Sequence, residues 1–214
     1  MIGQSTSATR RYDAVVFDLL TALLDSWKLW NTVAGSAEDG LGWRRAYLRL
    51  TYDCGAYRPY EELVREAAES CGLRSGLAAA LVSRFAELEP WEDAAEVLAA
   101  LAGNGLALGV ATNCSAALAA VASSRVGAVF TAVVSAEEAG FYKPRPEPYL
   151  RVLEKLDVAP QRALFVAGSP ADIPGAGNVG MPVSWHNRIG LPALDGRSSP
   201  LMTARSLRPL LDLV

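Results

Sequence analysis

The chain has 214 residues, of which 51% are hydrophobic and 20% charged, and its formal net charge is −3. That length suits one core, or a core with a small insert, and excludes two full-sized domains. The acidic balance provides no basic field for a phosphate backbone, so nucleic acid is not an expected partner.

The start, Met1-Ile-Gly-Gln-Ser-Thr-Ser-Ala-Thr-Arg-Arg11, is polar and lacks an apolar segment of signal-peptide length. No later stretch is apolar for long enough to span a bilayer, so no membrane partner and a cytoplasmic setting are expected. Three cysteines, Cys54, Cys71 and Cys114, are an odd number without CxxC spacing. They are expected to be buried thiols, neither a disulfide framework nor a zinc site.

Short apolar runs at 14–17, 106–111, 129–134, 163–167 and 182–185 predict strands. Helical patterns fall between them at about 91–103, 115–125, 145–157 and 171–178, with a last helix near 203–213. Strands that are apolar throughout and alternate with helices predict an α/β fold, with a parallel sheet covered on both faces. From about 27 to 90 only helical patterns occur, at 43–52, 60–71 and 77–88. An all-helical insert after the first strand would lie over the sheet's carboxyl edge as a lid. The Gly, Pro and Ser content of 190–200 predicts a surface loop before the last helix.

Polar residues end or follow the strand runs where a parallel sheet would gather them on one edge: Asp18, Thr112-Asn113, Lys143 and Asp172. Asp18 is a candidate nucleophile, which Lys143 can hold ionised. Thr112 and Asn113 offer donors to a substrate oxyanion such as a carboxylate. Asp172 can orient Lys143 or position a water. Leu20, two places after Asp18, cannot supply a proton, which favours a leaving group that needs none, such as halide.

Phe17-Asp18, Thr112-Asn113, Lys143-Pro144 and Gly168-Ser-Pro-Ala-Asp172 match, in order, four motifs of the haloacid dehalogenase superfamily, which the chain resembles over essentially its whole length. The resemblance implies a Rossmann-like core at 1–26 and 91–214 and a helical cap at 27–90. Most members of the superfamily are magnesium-dependent phosphatases with a second Asp two places after the nucleophile and an acidic pair in the fourth motif. Here those positions are Leu20 and Gly168. The 2-haloacid dehalogenases lack that second Asp and use no metal, and the chain resembles this branch locally. Arg44 falls where the branch has the cap arginine that meets the departing halide, and Tyr149 matches its tyrosine six places after the lysine. Trp185-His-Asn-Arg188 is similar to its Trp-x-Asn-Arg stretch.

The chain departs from the branch in two places. Leu20-Thr21-Ala22 replaces an aromatic followed by Gly-Thr, so Thr21 can stand in for the usual threonine only if the turn has shifted. Ala167 and Ser169 replace serine and asparagine ahead of Asp172, which thins the groups around the hydrolytic water.

The expected activity is hydrolysis of small 2-haloacids to 2-hydroxyacids through an aspartyl ester, without a cofactor or metal. Asp18, Lys143, Asp172 and Arg44 are the expected catalytic residues, with Thr112, Asn113, Leu20, Tyr149 and Ser169 around the substrate. A magnesium-dependent phosphatase and a catalytically weakened binding protein are the alternatives, and only the first of these would need Mg2+. Dimers are common in the resembled branch, and the aromatic insert offers a surface for one. Trp27, Trp30, Trp43 and Tyr47 suit core packing or an apolar pocket, while His186 and Cys114 are expected to be structural.

Overall fold

Residues 10–194 and 199–214 are described by the structure, a computed structural model. Strand β1 (Ala14–Phe17) is buried throughout, with Val15 and Phe17 entering one hydrophobic cluster and Ala14 and Val16 another on the opposite face. Period-two alternation divides the strand in this way, and each buried Val or Phe contributes roughly 1.5–3 kcal/mol.

Strands β2 (Ala107–Thr112), β3 (Ala132–Ser135), β4 (Ala163–Ala167), β5 (Val183–His186) and β6 (Met202–Ala204) complete a six-stranded sheet in the order β3-β2-β1-β4-β5-β6. Every pairing is parallel. Because β1 is flanked by β2 and β4, the chain winds outward in both directions from it. The crevice at that switch point opens above the carboxyl ends of these three strands.

Helices α1 (Ser26–Ala34), α2 (Ala37–Asp53), α3 (Tyr60–Ser70) and α4 (Leu77–Ser83) follow β1 before the chain returns to the sheet. Their entry and exit run side by side: Asp25 N donates to Glu89 O at 2.8 Å, and Leu24 bridges Pro90. Asp25 and Ser36 cap α1 and α2 by accepting from Lys28 N and Asp39 N. Gly40 lets the two helices close, since a Cβ there would lie 2.7 Å from Asn31 Cα. Trp30 and Trp43 meet edge to face at 4.7 Å inside this insert. Trp43 Nε1 donates to Val64 O at 2.8 Å, which satisfies the buried indole.

Helices α5 (Ala94–Gly103) and α6 (Ala116–Arg125) cover one face of the sheet. A short α7 (Ala136–Ala139) follows β3, and α8 (Pro146–Leu156) and α9 (Asp172–Asn178) cover the other face. Among the described residues, no helix is long and apolar enough to cross a membrane.

Three expectations are corrected. The last helix near 203–213 is instead β6, which extends the sheet beyond β5, followed by a 3-10 turn at Arg208–Asp212. Pro209 cannot sit inside a helix running from 203, because it lacks a backbone donor and crowds the preceding turn. The strand expected at 129–134 begins only at Ala132, and Val129 is 92% exposed. Of the cysteines only Cys114 is buried; Cys54 is half-buried, Cys71 is exposed and all three are free thiols. Residues 191–194 of the expected loop have no regular structure, whereas 195–198 and the polar 1–9 lie outside the described residues.

Candidate active site

Asp18 leaves β1 with its carboxylate facing two sets of donors. Lys143 Nζ donates to Oδ1 at 2.8 Å. On the other side Oδ2 accepts from Thr21 N at 2.9 Å, Thr21 Oγ1 at 2.5 Å and Ala22 N at 3.3 Å. These donors exist because residues Leu19–Leu23 coil as a wide π-helical turn with Asp18 as its N-cap. The first amides of such a turn have no internal partner, and the carboxylate takes two of them.

Lys143 also lies 3.2 Å from Asp172 Oδ1, so one buried ammonium bridges two buried carboxylates. Asn113 fixes its backbone from both sides: Asn113 Nδ2 donates to Lys143 O at 2.9 Å, and Lys143 N donates to Asn113 Oδ1 at 2.8 Å. Tyr149 OH donates to Asp172 Oδ1 at 2.8 Å.

The charges divide the labour. Burial opposes ionisation of Asp18, but Lys143 and the bonds from Thr21 outweigh it and hold the carboxyl below the usual carboxylate range. Burial and the Asp18 charge hold Asp172 above that range, against the pull of Lys143. Burial works to discharge Lys143, yet Asp172 and Asp18 keep it cationic, above the usual lysine value. Asp18 is thus the poor base of the pair and Asp172 the better proton acceptor.

Above these groups lies a cavity of about 330 Å3 whose lining includes Asp18, Leu20, Thr21, Asn113, Lys143, Ser169 and Asp172. Helix α2 forms its roof with Leu41, Arg44, Arg45, Leu48 and Tyr52, at spacings that put them on one helical face. Arg44 is buried, with its guanidinium 4.1 Å from the Trp27 ring and Nη1 donating to Ser26 Oγ at 2.8 Å. It is therefore a cation held in place beside the cavity.

Two residues expected around the substrate stand behind the cavity wall. Thr112 is fully buried at the end of β2 and is not part of the cavity wall; its hydroxyl lies 3.8 Å from Cys114 Sγ. Tyr149 is also fully buried and outside the wall, because it packs on Phe165 and reaches only as far as Asp172. It positions a carboxylate. Cys114 is buried and its thiol is pushed up to about 12, mainly by that burial, so it is no nucleophile.

Gly168 acquires a steric reason. A Cβ there would fall against Thr21 Oγ1 and 2.5 Å from Ala22 N. The turn after Asp18 occupies the space where any side chain, a metal-binding carboxylate included, would begin. Gly168→Ala is expected to cost about 1–3 kcal/mol by overpacking, measured as a lower denaturant midpoint, and to slow turnover by displacing Thr21. Among the described residues, no group of three or more His, Cys, Asp or Glu could hold a metal ion. The two cavity carboxylates are already bridged by Lys143, so the residues present do not fit a magnesium site.

The model of the haloacid dehalogenase-like hydrolases matches residues 12–180. The chain belongs to the haloacid dehalogenase-like hydrolase family. Among curated members it is 30% identical to (S)-2-haloacid dehalogenase 1 of Pseudomonas sp. (strain CBS-3), over 84% of this chain and 86% of that one. It is likewise 30% identical to (S)-2-haloacid dehalogenase 4A of Burkholderia cepacia, over 84% of each. Among solved structures, an L-2-haloacid dehalogenase with 26% identity superposes with a TM-score of 0.85, covering 96% of this chain and 99% of that one.

Within this haloacid dehalogenase-like hydrolase, the sequence offered Thr21 only on condition of a shifted turn, and the wide turn at Leu19–Leu23 brings its hydroxyl to Asp18. The signal was present: a hydroxyl three residues after a strand-end Asp suits an N-cap partner. The wide turn that aims it could not be read from residue order.

Proposed function

We propose that the protein is a metal-independent hydrolase that removes halide from small 2-haloacids, the (S) forms by analogy with its relatives, to give 2-hydroxyacids. The carrying observation is Asp18, ionised by Lys143 at the floor of the cavity, with apolar Leu20 where a phosphatase would need a leaving-group acid.

Asp18 Oδ1 has one side-chain donor and attacks the halogen-bearing carbon. A carbon–oxygen bond forms, and the carbon–halogen bond breaks with its electron pair leaving on halide, beside Arg44. Water then adds to the ester's carbonyl carbon and passes its proton to Asp172. The oxyanion of that step forms on Oδ2, where Thr21 N, Thr21 Oγ1 and Ala22 N converge. Collapse of this intermediate breaks the bond between the Asp18 acyl carbon and the ester oxygen, which takes the proton held by Asp172 and leaves as the hydroxyacid; the water's second proton is lost to solvent, and Asp18 is again a carboxylate carrying the water's oxygen. Asn113 and Ser169 border the carboxylate end of the substrate, and the helices of 27–90 serve as the cap.

Lys143 supplies the neutralising cation, which supports a reaction without magnesium. The three free thiols support a reducing, cytoplasmic setting. A homodimer is the proposed assembly, carried over from the resembled branch.

Purified protein is expected to release halide from 2-chloropropionate equally well with chelator or magnesium present. Phosphate release from phosphate esters that depends on magnesium, with no halide release, would establish the phosphatase instead. Binding of the haloacid with neither product would establish the binding protein.

A further inference from the structure

The turn that carries Thr21 is too short to bond its own last carbonyls. Its wide helical bond runs from Leu24 N to Leu19 O at 3.1 Å, leaving the carbonyls of Thr21, Ala22 and Leu23 to find donors elsewhere. Two residues from distant parts of the chain supply all three. Trp91 Nε1 donates to Thr21 O at 3.0 Å, and Trp91 N donates to Leu23 O at 3.0 Å. His186 Nδ1 lies 2.8 Å from Ala22 O and must carry the proton there, because a carbonyl only accepts. The two rings brace each other edge to face at 6.3 Å, and Arg188 lies 5.1 Å over the Trp91 ring.

Each carbonyl shares a peptide unit with the next residue's amide. The Thr21 carbonyl, held by the Trp91 indole, is conjugated with Ala22 N, which donates to Asp18 Oδ2. A donor on the oxygen polarises the same peptide's N–H and strengthens its bond to the carboxylate. The Ala22 carbonyl, held by His186, belongs to the same peptide unit as Leu23 N and fixes the orientation of that unit, which continues the turn from the Ala22 amide.

We propose that Trp91 and His186 are positioning residues that clamp the nucleophile turn from behind, Trp91 polarising the Ala22 amide that holds Asp18 Oδ2 and His186 fixing the next peptide, Ala22–Leu23, so that the turn keeps its aim. Neither residue is in the cavity wall, so each acts through the turn alone. The inference rests on Asp18 being the nucleophile, as in the proposed function.

The test uses the full chain with Trp91→Phe, His186→Leu and His186→Asn, each first shown to be folded by its cooperative unfolding. Asn places a side-chain N–H close to where imidazole Nδ1 stands, so it keeps the donor that Leu removes. Losing either side-chain donor is expected to lower kcat about tenfold with KM changed less than about twofold, and His186→Asn is expected to recover most of the loss. Amide resonances separate the two sites: Trp91→Phe is expected to move the Ala22 N–H upfield and speed its exchange, and His186→Leu to do the same at Leu23. An unchanged kcat together with an unmoved Ala22 resonance in Trp91→Phe overturns the clamp, as does a His186→Asn variant no better than His186→Leu. Should Trp91→Phe not fold, the two His186 variants decide. If the unaltered protein releases no halide, it is the functional reading that fails, and the amide resonances alone judge the clamp.

Discussion

Asp18→Asn is expected to lower halide release by on the order of a thousandfold or more, while haloacid binding and the fold persist. The amide has no charge with which to displace halide. It also fits the site badly: four donors converge on the carboxylate, from Lys143, Thr21 (N and Oγ1) and Ala22. Whichever end of the amide carries the NH2 must face a donor. Halide assay with matched binding measurements checks this. A variant retaining a tenth or more of the activity would move the chemistry to direct attack by water, with Asp172 as base.

Lys143→Met is expected to have the largest effect on stability. The ammonium is buried between two buried carboxylates, and its removal leaves both uncompensated, which costs about 3–5 kcal/mol for a broken buried pair. For a chain of this length that corresponds to a melting temperature lower by roughly 6–20 °C. The pH dependence contributed by Asp18 should invert. In the unaltered protein Asp18 titrates below the usual range, so its contribution is present above the unfolded carboxylate value and is lost as pH falls through the lower folded value. In the variant, burial and mutual repulsion raise both carboxyls, so the folded state binds protons more readily than the unfolded state and mild acid stabilises it. Thermal unfolding at neutral and mildly acidic pH reads this directly: the gap between variant and unaltered protein narrows on acidification. A gap that widens would contradict the assigned charges. Turnover should fall as well, since a larger share of Asp18 is protonated.

Much of this site was visible in residue order because strand ends are local. Asp18 and Asn113 each follow a run that could only be a buried strand, and parallel pairing then brings their ends together. Lys143 and Asp172 stand just beyond the next two runs, and the structure joins them to Asp18. Leu20 and Arg44 were located by motif position, and both border the cavity.

What was not legible depended on how far a side chain reaches once packed. Thr112 and Tyr149 carry suitable donors, yet one ends against Cys114 and the other against Asp172. Asn113 reaches the cavity but turns its amide to the Lys143 backbone, so its larger role is to hold the lysine. Gly168 was notable only as a missing carboxylate, and its true constraint is the approach of the Thr21 turn. Strand β6 was hidden by Leu and Arg residues that suit a helix; its pairing with β5 and the placement of Pro209 decide otherwise.

The fate of oxygen in a single turnover tests the central claim most directly. Excess enzyme is mixed with 2-chloropropionate in heavy-oxygen water, and the peptide containing Asp18 and the released acid are weighed by mass spectrometry. Attack by Asp18 followed by ester hydrolysis predicts the heavy atom in the Asp18 carboxylate and ordinary oxygen in the lactate. Heavy oxygen in the lactate, with Asp18 unlabelled, would contradict it.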